Sequence, residues 1–275
     1  MINLMGPRFN SRFRLPHFFC FALLFTQLGI AKPVGVYPNS IPVNGTFIAP
    51  PALLFTPFPS AACINAAALP STDSMTTLQL AYSPSRGETP QNIFSGIATS
   101  TKSFGVGFGY FGSLGKLKTT NGGFAGFGFK SNLSQYGFGY RNADITSNGQ
   151  ADFDLSYLYT DAREGLSYGG VLRGFTSSPQ LNLGIGYMAD RFFNVEFNVN
   201  APKVRDLSNG DFTLIGASNF SVSEKIVVHL QLNYHTQTSK LDTLSGFNYW
   251  LSDVANAVLQ FSSPNVWSLG FSLIF

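Results

Sequence analysis

The chain has 275 residues, of which 44% are hydrophobic, 15% aromatic and only 11% charged, with a formal net charge of +3. Soluble proteins usually carry about a quarter charged residues. The 28 Phe and 11 Tyr supply more apolar surface than a disordered chain would. The positive excess is local: without Arg8, Arg12 and Arg14, 14 basic residues (17 less three) face 14 acidic ones. That balance leaves no concentrated basic face for phosphate, so nucleic acid is not expected as a partner.

In chain order, the first element is a leader. The three arginines precede the apolar run Phe18 to Phe25, and Gly29 and Ala31 put small residues where a signal peptidase reads. Residues 1–31 therefore read as a cleaved secretory signal. The second element is residues 32–74, which hold eight of the fifteen prolines and read as an irregular segment. Cys20 leaves with the signal, so Cys63 cannot form an intrachain disulfide.

From Met75 the pattern becomes period-two alternation, which continues to the last residue. Phe193, Val195, Phe197 and Val199 alternate with Asn194, Glu196, Asn198 and Asn200. Residues 226–234 repeat the pattern, with Ile226, Val228, Leu230, Leu232 and Tyr234 set against Val227, His229, Gln231 and Asn233. Segments 152–157, 180–187 and 267–275 behave the same way. After residue 31 no apolar stretch reaches the roughly 18 residues that a membrane helix needs, whereas dyad repeats of about ten residues suit lipid-facing barrel strands.

A soluble sandwich also alternates, but its outward faces carry charge; here the polar faces are mostly Asn, Gln, Ser and Gly. The expected fold is therefore all-β, a transmembrane antiparallel β-barrel over residues 75–275. Fourteen strands are read near 75–83, 91–99, 103–111, 122–130, 135–142, 151–160, 167–175, 180–188, 192–200, 211–220, 225–235, 245–251, 255–262 and 266–275. Twelve is the alternative count, because the connections at 176–179 and 263–265 are short for external loops. Tyr82, Tyr110, Tyr140, Tyr159, Tyr187 and Trp267 fall at strand ends, where interfacial girdles form.

The C-terminus carries a resemblance. Trp267, Leu269, Phe271, Leu273 and the terminal Phe275 alternate in a way that resembles the targeting strand of Gram-negative outer-membrane barrels. That resemblance implies outer-membrane lipid as surroundings, with periplasmic chaperones and the barrel-insertion machinery as partners in biogenesis. A second segment, residues 62–70 followed by the first strand, resembles the Asn-Pro-Ala-x-Leu element of FadL-type hydrophobic-compound transporters, with Ala66 where that pattern has proline. In that family the barrel has fourteen strands and the N-terminal segment plugs the lumen.

The residues bear on a plug independently. Gly105, Gly107, Gly109, Gly126, Gly128, Gly137 and Gly139 share the face opposite Phe104, Val106, Phe108, Phe127, Phe129, Phe138 and Tyr140. Glycine inside a strand marks either close approach by other backbone or relief of strain at a curved wall. The first reading has residues 33–70 packing against the glycines.

Lumen-facing candidates are Lys130, Arg141, Asp152, Asp154, Arg173, Glu196, His229 and His235. Their signs are mixed, so no strong ion selectivity follows. His229 and His235 are roughly 20 Å apart along a strand, too far to chelate one metal, and no cofactor or metal is expected. Gly107 to Gly112 matches G-x-G-x-x-G only through strand alternation. The expectation is a non-enzymatic barrel for passive transfer of small or hydrophobic solutes. The alternatives are a closed structural barrel without transport, and a rim hydrolase using Asp152, Asp154 and His235.

Overall fold

The computed structural model describes residues 54, 61–70, 74–83, 91–114, 121–142, 151–161, 163–175, 179–190, 193–201, 210, 212–262 and 266–275. The signal read at 1–31 and most of 32–60 lie outside the described residues. What is described forms fourteen strands and one short N-terminal segment.

The strands are β1 (Met75–Ser83), β2 (Gln91–Ser100), β3 (Phe104–Leu114), β4 (Asn121–Ser131), β5 (Ser134–Asn142), β6 (Ala151–Asp161), β7 (Leu166–Arg173), β8 (Gln180–Asp190), β9 (Phe193–Ala201), β10 (Thr213–Ser221), β11 (Ile226–His235), β12 (Lys240–Ser252), β13 (Ala255–Ser262) and β14 (Val266–Ile274). Each pairs antiparallel with its sequence neighbours, and β14 pairs with β1, so the sheet is a closed barrel. The seam is sealed beyond the last strand residue: Thr76 N donates to Phe275 O at 3.1 Å and Phe275 N to Thr76 O at 2.8 Å. Closure leaves no unpaired edge, which a sheet in hydrocarbon requires.

The period-two pattern becomes an inside and an outside. Phe108, Leu232 and Leu269 on the outer wall are 60%, 53% and 51% exposed, although apolar side chains of this size are normally buried in a water-soluble fold. Gln79, Asn248, Asn256 and Ser272, on the inner wall of neighbouring strands, are fully buried. The protein is inverted relative to a soluble one, apolar outside and polar inside, which suits a lipid surround. No helix among the described residues is long and apolar enough to cross a membrane.

Fourteen strands replace the alternative count of twelve. The short connections at 176–179 and 263–265 join strands that are fully paired, β7 with β8 and β13 with β14. Two boundaries differ from the sequence reading by three residues or more. β12 begins at Lys240 rather than 245, because the β11–β12 turn takes only residues 236–239, with Ser239 at φ 52°. β3 runs on to Leu114, pairing Gln91 with Leu114.

Connections alternate. Even-numbered ones are tight, such as Asn132 and Leu133 between β4 and β5, where Asn132 takes the left-handed φ of 56° that asparagine tolerates. Several odd-numbered ones, such as 143–150 and 202–212, are longer. Both ends of the barrel sequence, Met75 and Ile274, lie at the end with the tight turns.

Candidate functional site

The barrel is not empty. A four-residue helix α1 (Ala61–Ile64) and a single 3-10 turn (Ala66–Ala68) lie inside it and pack against β3, β4, β5 and β6. Ala61, Ala62, Ile64, Ala67 and Leu69 are buried, so this segment is a core element with no solvent-facing side. Its small side chains allow its backbone to approach the wall closely. Asn65 caps the turn by accepting from Ala67 N at 3.2 Å.

The glycine face is where that approach occurs. A Cβ at Gly105 would lie 2.6 Å from Leu69 O, and one at Gly126 would lie 2.5 Å from Ala62 O. At Gly107 it would meet Ala62 Cβ at 2.9 Å, and at Gly128 and Gly137 it would run into Ala66 and Ala67 backbone. Such overlaps cannot be relieved by a side-chain rotation, because the obstructing atoms are mostly backbone. Gly109 and Gly139 differ: their nearest neighbours are Ser95 O with Phe124, and Asp154. Those two glycines answer to strand neighbours, as the curved-wall alternative supposes.

Polar side chains pin the segment from the facing strands. Arg173 donates from Nη1 to Cys63 O at 3.2 Å and from Nη2 to Ile64 O at 2.5 Å, meeting the carbonyls at the C-terminal end of α1. Ser156 accepts from Ala67 N at 3.0 Å. Further round the barrel, Glu196 accepts from Leu54 N at 3.2 Å and is bonded by the carboxamide of Asn198. Leu54 packs with Ala67, Leu158 and Val171, so the contact is apolar as well as polar. Burial pushes the Cys63 thiol up to about 12, against the opposing pull of Arg173 and Arg141.

The remaining lumen-facing candidates take the following places. Arg141 and Asp154 form an ion pair at 3.0 Å, and Asp154 also accepts from Gly174 N at 2.9 Å, which turns the chain at the end of β7. Gly174 has φ 60°, a conformation that glycine adopts without strain. Asp152 accepts from Phe153 N. Lys130 is half-buried on β4, opposite Gln135. His229 is buried and its Nε2 lies 3.3 Å from Gln260 Nε2. His235 bridges Thr213 through Nδ1 at 3.0 Å and Asp242 through Nε2 at 3.1 Å, and Lys240 joins Asp242 at 3.1 Å.

The rim hydrolase grouping is not assembled. Asp152 and Asp154 lie on β6, with Arg141 of β5 opposite Asp152, while His235 lies on β11 beside Thr213 and Lys240. No cluster of three metal-capable side chains occurs among the described residues.

Three features escaped sequence reasoning. Ser156 looked like any polar strand residue. Phe94, Phe111 and Phe124 stack on the inner wall, with ring centroids 5.4 and 6.4 Å apart, although phenylalanine elsewhere in these strands faces out. The third is the apolar set Ile215, Trp250 and Val258, buried on the inner wall of β10, β12 and β13 among Asn and Gln.

No family model matches the chain, and no curated protein sequence matches it either. Solved structures with a similar chain path include two mutants of the Rhodopseudomonas blastica porin, 10% and 9% identical, each with 74% of this chain and 98% of the porin chain covered at a TM-score of 0.46. At that overlap the likeness adds nothing to what the strand pairing of this chain already establishes.

Proposed function

We propose that the protein is an outer-membrane barrel for passive transfer of small or hydrophobic solutes, held shut by its own N-terminal segment. The observation that carries this is the seat of residues 61–70 inside the barrel, packed in an apolar cluster with Phe94, Phe111 and Phe124 and bonded by Arg173 and Ser156. The tight turns would face the periplasm and the longer loops the exterior, the usual arrangement in outer-membrane barrels. The inner-wall Phe cluster gives an apolar solute somewhere to rest, as the FadL-type resemblance implies.

The lumen has no catalytic grouping in this proposal; solute passes and the segment gates. Planar-bilayer conductance of the refolded chain, with and without residues 33–70, tests it. Deletion should raise single-channel conductance from near zero to discrete steps. Unchanged conductance would remove the gate from the proposal.

A closed structural barrel is the second reading. It is favoured by the near-complete burial of inner-wall side chains such as Gln79, Asn248, Asn256 and Ser272. That reading expects no discrete channels even after the deletion.

A further inference from the structure

Asp154 ties three strands together. It stands on β6 opposite Gly139 of β5, where an added Cβ would lie 3.2 Å from the Asp154 Cβ, so the missing side chain gives the carboxylate room on that side. Its Oδ1 accepts from Arg141 Nη2 of β5 at 3.0 Å and from Gly174 N, just past β7, at 2.9 Å. Arg173 immediately precedes Gly174, and the β6–β7 register sets it beside Asp154, one step past the Leu155–Leu172 pair. Arg173, Asp154 and Cys63 are all buried. The charges of Arg141 and Asp154 act on both Arg173 and the Cys63 thiol.

Arg173 grips the N-terminal segment through Cys63 O and Ile64 O. Carbonyls carry no net charge, so those two bonds do not neutralise a buried guanidinium, and a carboxylate is needed to do so. Asp154 is placed for this, but Arg141 draws on the same oxygen. Asp154 also fixes the backbone on which Arg173 stands, because Gly174, at φ 60°, opens the β7–β8 connection, and Phe175 N is bonded to Phe153 O at 3.1 Å. That connection lies at the end of the barrel opposite the tight turns. The grip on the segment is therefore set at the mouth away from the end where the chain enters β1.

We propose that Asp154 is the positioning residue of the segment's latch: it neutralises and aligns Arg173, and Arg141 opposes it by competing for the same carboxylate. The proposal rests on the gated-barrel reading and names what sets the gate. It carries a sign that a merely structural role lacks. Removing Asp154 loosens the segment, whereas removing Arg141, its ion-pair partner, tightens it. Asp152 stands across from Arg141, one inner-face position nearer the mouth, so both carboxylates remain when Arg141 is replaced.

Maleimide labelling of Cys63 in a Cys20→Ser background reads segment opening in the refolded full chain, with heat-modifiable gel mobility confirming a closed barrel in each variant. Asp154→Ala should label about a hundredfold faster than the parent, because a buried charge that loses its partner is strongly destabilised. The double variant Asp154→Ala/Arg173→Ala should match Arg173→Ala within about threefold, since Asp154 acts through Arg173. Arg141→Gln should label about fivefold more slowly than the parent, the size of one partly screened charge contact. Asp154→Asn keeps an acceptor for Gly174 N while losing the charge; it serves where Asp154→Ala leaves the barrel unclosed, and should label at least about tenfold faster.

A double variant that multiplies the two single effects, or an Arg141→Gln variant that labels faster than the parent, would overturn the positioning role and leave the Arg173 latch. Labelling unchanged in Arg173→Ala as well would remove the latch and this role with it. The expected labelling pattern in a barrel that passes no current would sustain the role and remove the channel.

Discussion

Removing the Arg173 guanidinium should release the N-terminal segment, and Cys63 reports the release. Arg173→Ala deletes two bonds from a charged donor, to Cys63 O at 3.2 Å and Ile64 O at 2.5 Å. Hydrogen bonds to charged groups contribute about 1.5–3 kcal/mol each. Taking the low end for both, because water can enter the vacated space, closure weakens by about 3 kcal/mol. That corresponds to roughly a hundredfold rise in the open population. Arg141 and Asp154 remain paired in the variant, so no buried charge is left uncompensated.

The assay is maleimide labelling in a Cys20→Ser background, where Cys63 is the single thiol. With its pKa raised to about 12 by burial, the closed-state thiol is ionised in about one molecule in ten thousand at pH 8, against about a quarter for an ordinary cysteine. Labelling therefore follows opening. The neutral thiol is favoured by closure, so this contribution persists below the ordinary cysteine range of about 8.5 and declines as pH rises toward 12. Arg173→Ala should label about a hundredfold faster, while Arg163→Ala, on the exposed β6–β7 turn, should label like the parent. An unchanged rate for Arg173→Ala would refute the latch. A parent that labels as fast as unfolded chain would refute burial of the segment itself.

Two further outcomes concern the barrel. Phe108→Lys, at the most exposed apolar site of β3, should destabilise the barrel in vesicles by about 2–4 kcal/mol if the site lies near the bilayer midplane; a change below about 0.5 kcal/mol in urea titration would place Phe108 outside the hydrocarbon. Deleting Phe275 removes both backbone bonds to Thr76 at the β1–β14 seam along with the terminal aromatic. The folded fraction recovered from membranes should fall several-fold, and full recovery would show that the seam closes without it.

The fold was legible where alternation is strict. Segments such as 193–200 announce a strand with two unlike faces, and the fourteen strands follow from counting such segments. Legibility failed at Lys240–Leu244, where polar residues near a turn resemble loop; only pairing with β11 shows Leu241 outward and Asp242 inward. The glycine face was legible as a face, but its neighbours were not, since nothing local distinguishes Gly105, which meets Leu69, from Gly109, which meets Ser95. The attachments are harder still: Arg173 and Ile64 are 109 residues apart, and Glu196 and Leu54 are 142. A periodicity reports which side a residue faces and carries no information about what waits there.

The division of the inner wall follows from what each half must accommodate. A backbone laid against a sheet needs the space of a missing Cβ, and β3, β4 and β5 supply it at Gly105, Gly107, Gly126, Gly128 and Gly137. The same glycines cannot hold that backbone, because they offer no side-chain atoms. The holding groups must therefore come from neighbouring strands, and they do: Ser156 from β6, Arg173 from β7 and Glu196 from β9. Beyond β9 the inner wall mixes buried carboxamides such as Asn219, Gln231 and Asn248 with apolar Ile215, Val227 and Val258 and with the His235–Asp242–Lys240 group. Glycine for access and a few polar and charged groups for retention let one barrel hold a segment of its own chain against its inner wall.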